Sequence, residues 1–213
     1  MAAYRVTLMR VAVTVGLLLT LLGCTTAKRV VGRAATDAEA QLVARAIIPL
    51  LSELGYALPR PPDDCRIALI VVQANTINAA TGPGSATPCT LLALGITEGA
   101  LRRLPVEMLR AIFAHELGHA HLGHLETRRQ RRSDTVGALL PFTRSFDRQE
   151  EAAADAFAVD LLRRLEPQHR GACVALVYVF ALLAEQAEGP GRWFSTHPSP
   201  DRRAETAVAG CNR

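Results

Sequence analysis

Five consecutive residues, His115-Glu116-Leu117-Gly118-His119, put two imidazoles and a carboxylate at a spacing that can activate water. Helix positions four apart lie one turn apart on the same face, so His115 and His119 can share one cation. Glu116 can then act as general base, taking a proton from the water that attacks a peptide carbonyl. Leu109-Arg110-Ala111-Ile112-Phe113-Ala114 leads into the motif without a helix breaker, as that geometry requires. A catalytic zinc site takes three protein ligands, so a third must come from elsewhere. Glu151-Ala152-Ala153-Ala154-Asp155 offers it, in another clean helical stretch with carboxylates at i and i+4. Glu151 is the expected ligand, with one zinc ion per chain. Asp155 is expected to accept a hydrogen bond from the far nitrogen of a ligand histidine and fix its tautomer. Glu150 competes for the ligand role, and a solvated acidic face is the alternative use of the pair. His121 and His124 are read as supporting or surface residues.

The elements that must position these groups follow from periodicity. Thr36 as N-cap, Asp37 and Glu39, then Leu42, Val43, Ala46, Ile47, Leu50, Leu51 and Leu54 predict an amphipathic helix ending near Gly55. Arg66 to Val72 reads as a buried strand, and Leu91 to Thr97 as a second, beyond a Gly- and Pro-containing loop at 82–88. Helical periods return from Val106 to about Arg129, from about Asp147 to Leu165 and from Gly171 to Glu188. Ser133 to Ser145 is a surface connection or a lid. At 213 residues and 49% hydrophobic content, one sizeable core is expected, in a helix-rich α+β domain with one small sheet over residues 36–213.

The N-terminus has a different composition. Arg5 and Arg10 precede an apolar run from Val11 to Leu22, too short to span a bilayer, which ends at Leu21-Leu22-Gly23-Cys24. Residues 1–23 are read as a signal peptide. Leu21-Leu22-Gly23-Cys24 resembles the bacterial lipobox, which implies an acylated Cys24, with residues 24–35 as a polar tether. Thr25 replaces the Asp that retains Gram-negative lipoproteins in the inner membrane. The resemblance therefore implies a lipid anchor at the periplasmic face of the outer membrane. Removing residues 1–23 lowers the net charge from +4 to +2, too weak for a nucleic-acid partner. Cys65, Cys89, Cys173 and Cys211 remain in an exported chain. Proximity favours Cys65 with Cys89 and Cys173 with Cys211, with free buried thiols as the alternative.

His115 to His124, reading HELGHAHLGH, followed by E-x-x-A-D from Glu151, resembles the gluzincin metallopeptidases of the CAAX-prenyl-protease, HtpX and Oma type, peptidase family M forty-eight. Asn78-Ala79 and Ile96-Thr97-Glu98-Gly99-Ala100-Leu101 resemble that family's stretch before the zinc helix, His124 a recurring histidine, and Ser195-Thr196-His197-Pro198 with Arg203 its closing motif. The resemblance implies a minigluzincin-like fold with zinc on His115, His119 and Glu151, and Glu116 as base. It also implies His197 steadying the oxyanion, Arg203 holding the acidic helix through Asp155, and an edge strand aligning an extended substrate. Phe157-Ala158-Val159 departs from the family's small residue after the acidic turn. The function implied is an endopeptidase acting on unfolded or extended polypeptides in envelope quality control. A chaperone-like assembly factor that cleaves little is the alternative, and intact Glu116 argues against it.

Overall fold

The computed structural model describes residues 32–56, 66–86, 89–126, 148–166, 171–187 and 200–212. Its strands are β1 (Gly32–Ala34), β2 (Arg66–Val72), β3 (Ala79–Ala86) and β4 (Cys89–Thr97). Its helices are α1 (Asp37–Glu53), α2 (Glu98–Arg103), α3 (Val106–His121), α4 (Arg148–Leu165), α5 (Gly171–Ala187) and α6 (Pro200–Cys211). The expected helix-rich α+β architecture with one small sheet is present.

α1 begins at a capping box: the Thr36 hydroxyl accepts from the Glu39 N–H, and the Glu39 carboxylate accepts from the Thr36 N–H. Val43, Ala46, Ile47, Leu50 and Leu51 form its buried face. Pro49 lies inside this helix and cannot donate to the Arg45 carbonyl one turn earlier. Arg110 of α3 approaches that carbonyl at 3.5 Å, so the interruption in α1 becomes a contact with the helix that carries the motif.

The sheet order is β1-β2-β4-β3, with β2 and β4 parallel and both outer strands antiparallel to their neighbours. Two expectations are corrected here. Residues 82–86 belong to β3 rather than to a loop, and β4 begins at Cys89 rather than Leu91. Pro83 is tolerated because β3 is an edge strand among the described residues. Asn78 accepts from the Thr97 N–H. Main-chain groups in an antiparallel pair alternate inward and outward, so residue 83 would have turned its N–H away from β4 and no ladder bond is lost. The expected tether contributes its last residues to the sheet: Gly32 to Ala34 pair with Val72 to Ile70.

α3 packs against α1, α4, α5 and β3, and every residue from Ala111 to His119 is buried. Periodicity extended this helix to about Arg129, but it ends at His121, where Gly123 turns the chain at φ 76°. α2 and α6 have no counterpart in the sequence reading: α2 is only six residues long, capped by the Thr97 hydroxyl, and α6 follows a Pro-rich stretch that reads as a turn. The disulfide Cys173–Cys211 joins α5 to α6, the pairing expected from proximity. Cys65, Cys24, His197 and the segment from Ser133 to Ser145 lie outside the described residues, and so does any bridge between Cys65 and Cys89.

Candidate metal centre

Nε2 of His115 and Nε2 of His119 lie 3.1 Å apart on the buried face of α3. Glu151 of α4 faces both, with carboxylate oxygens 3.5 Å from each Nε2. A cation about 2.0–2.1 Å from tetrahedrally arranged ligands separates the ligand atoms by about 3.3–3.4 Å, and the two Nε2 atoms, with one Glu151 oxygen turned to each, stand at separations close to that. Charge fits as well. Among the described residues Glu116, Glu151 and Asp155 are buried here with one guanidinium, Arg203, an acidic excess that a divalent cation offsets. Glu150, the competing carboxylate, is only half-buried and one helical position away from the facing side.

The close approach of α4 to α3 depends on Gly118. A Cβ there would lie 3.1 Å from both the Cα and the carbonyl oxygen of Ala154. Ala154 and Ala158, both fully buried, keep the α4 side of the contact small. The middle of the five-residue motif therefore sets the interhelical distance while its ends supply the imidazoles.

Each imidazole of this group is held from behind. His115 Nδ1 lies 2.8 Å from Asp155 Oδ1. Arg203 of α6 donates to Asp155 from Nε at 2.8 Å and from Nη2 at 2.7 Å, and its Nη1 lies 3.3 Å from Glu151. One guanidinium thus forks onto Asp155 through two hydrogen bonds and stands at ion-pair distance from Glu151, with its face 4.4 Å from the Phe180 ring of α5. Burial alone would raise the Asp155 carboxyl, but the hydrogen bonds from Arg203 and His115 overcome it and hold the group below its ordinary value. Burial works to lower Arg203, and the bond to Asp155 keeps its pKa raised.

His119 has a different partner. Its Nδ1 lies 3.0 Å from Nδ1 of His124. Residues five apart on a continuous helix do not face each other. The turn at Gly123 is what brings His124 back over His119. His121 is exposed, with its ring 4.9 Å from that of Phe157, and lies apart from the cluster.

Glu116 is buried between α3 and β3, where its Oε2 accepts from the Thr81 main-chain N–H at 2.9 Å. Desolvation pushes its carboxyl up to about 7, against the opposing influence of His115 and the Thr81 hydrogen bonds. Thr81 was not singled out in the sequence. It sits in a Gly- and Pro-containing stretch without alternation, and no local signal distinguishes it.

The structure therefore brings His115, His119, Glu151, Asp155 and Arg203 into one buried cluster able to hold a metal ion, with a carboxylate beside it fit for base chemistry. That pairing of a two-histidine, one-glutamate group with a neighbouring glutamate defines a candidate hydrolase centre. Residues 99–213 match the family described as Peptidase U49, more than half of the chain, and the protein belongs to that peptidase family. The matched span contains every cluster residue and Glu116, but not Thr81. No curated protein matches the chain.

Proposed function

We propose that this peptidase is a zinc-dependent endopeptidase of the gluzincin type, related to the CAAX-prenyl-protease, HtpX and Oma group. The observation that carries this reading is the 3.1 Å separation of the His115 and His119 Nε2 atoms together with a Glu151 carboxylate that sets one oxygen 3.5 Å from each. Zinc, when bound there, supplies Lewis-acid chemistry at the carbonyl to be cleaved. Asp155 and His124 orient the two imidazoles, Arg203 holds the acidic helix in place, and Glu116 takes the proton of the attacking water. His197 is assigned to the developing oxyanion on the strength of the closing motif. β3, an edge strand beside α3, suits recognition of an extended polypeptide through main-chain hydrogen bonds with little regard for sequence.

The setting proposed is the bacterial envelope. Residues 1–23 are assigned as signal peptide, Cys24 as the acylated residue anchoring the chain to the outer membrane, and misfolded or unassembled proteins as substrates. The disulfide Cys173–Cys211 supports an oxidising compartment.

Zinc content and cleavage of casein by the mature chain test the reading together. Glu116→Gln is expected to retain one zinc per chain and lose cleavage by at least about a hundredfold, the scale of a lost general base. A wild-type protein without zinc sinks the reading. One that binds zinc but trims no unfolded substrate favours the chaperone-like alternative.

A further inference from the structure

Thr81 is where the edge strand touches the motif helix. It is 3% exposed. Besides the amide bond to Glu116 Oε2, its hydroxyl lies 3.0 Å from the Glu116 main-chain oxygen and 3.3 Å from Oε2. Two groups of one residue therefore grip both the backbone and the carboxylate of the proposed base.

The strand ladder explains why that amide is available. Asn78 accepts the Thr97 N–H, so residues 78, 80 and 82 turn their main-chain groups toward β4, and residues 79 and 81 turn theirs to the outer edge. An outward N–H on an edge strand is the donor that an added peptide strand uses. Here the Glu116 carboxylate occupies that donor. A peptide strand added at this edge would have to displace that carboxylate to reach the amide.

We infer that Thr81 is the positioning residue for Glu116: its hydroxyl fixes the helical turn that carries the base, and its amide holds the carboxylate until an extended substrate strand takes the amide over. Substrate binding would then release the base to the reacting water only when a backbone carbonyl has arrived in register. The exchange replaces a charge-assisted bond with a neutral one, so it favours chains that make several further ladder bonds over short fragments. This inference rests on the peptidase reading above.

Thr81→Val removes the hydroxyl while keeping shape and amide, and Thr81→Ser restores the hydroxyl. In the zinc-loaded mature chain acting on labelled casein, Thr81→Val is expected to lower kcat about tenfold, with KM and zinc affinity within about twofold, the pattern of a group acting on the base rather than on binding. Thr81→Ser should recover most of kcat. Nitrogen-edited NMR reads the amide without turnover: the Thr81 amide proton should lie downfield in the wild type and move upfield in Glu116→Ala. Wild-type kcat in Thr81→Val, loss of zinc along with rate, or an amide unmoved by Glu116→Ala overturns the assignment. Absence of cleavage by the wild type overturns the peptidase reading and the substrate exchange with it, while the amide shift decides separately whether Thr81 seats Glu116.

Discussion

Arg33 and Arg203 make similar bonds in opposite surroundings. Arg33 of β1 reaches Glu39 at 2.7 and 2.8 Å and Glu98 at 2.9 Å, joining the first strand to the starts of α1 and α2. Its side chain is 32% exposed, whereas that of Arg203 is 6% exposed. An arginine at the rim faces solvent that competes for every bond, so removing it leaves its carboxylates to water. A buried arginine has replaced that water, and removing it takes two hydrogen bonds from a carboxylate that water cannot reach. The difference separates a local staple from a structural condition of the site.

The largest effect that sharpens this contrast should come from Arg203→Ala. It strands Asp155 in the interior and is expected to cost about 3–5 kcal/mol in urea unfolding. Adding Asp155→Asn should return part of that loss, because a neutral amide is easier to bury. A single-variant cost as small as that of Arg33→Ala would erase the distinction between the two arginines. Next in size is the effect on the metal. Asp155→Asn should weaken zinc binding about 10- to 100-fold in chelator competition, since it frees the His115 tautomer. Arg33→Ala should leave zinc affinity unchanged, and a shared loss would mean that the rim network also shapes the centre.

The smallest effect is the acid response at the rim. The hydrogen bonds from Arg33, working against partial burial, lower the Glu39 carboxyl from 4.5 to about 2. A depressed carboxyl stabilises the fold above its unfolded pKa and loses that contribution as pH falls through the folded one. The stability gap between wild type and Arg33→Ala should therefore be full above about pH 4.5, close toward pH 2, and stay under about 1 kcal/mol because solvent screens the pair. A gap that grew on acidification would show that Glu39 is not the group responsible.

Much of the centre was legible beforehand because it is local. His115, Glu116 and His119 need only one helical turn, and Glu151 with Asp155 only another. The capping box of Thr36 and Glu39 is local in the same sense. β3 was not legible: Ala79 to Ala86 contains two glycines and a proline, and it holds its place by pairing with β4 rather than by propensity. The end of α3 was misplaced because an apolar period cannot reveal that Gly123 adopts a left-handed conformation.

By itself, the sequence determined which groups could meet a metal, since helical spacing places imidazoles and carboxylates on single faces. Tertiary structure alone decided what stands behind them. His124 reaches His119 through a turn at Gly123, Arg203 reaches Asp155 from a helix bridged to α5 by a disulfide, and Thr81 reaches Glu116 from a strand edge. Partners separated by a chain reversal or by 35 to 48 residues leave no periodic trace, because their meeting is set by how helices and sheet pack against one another.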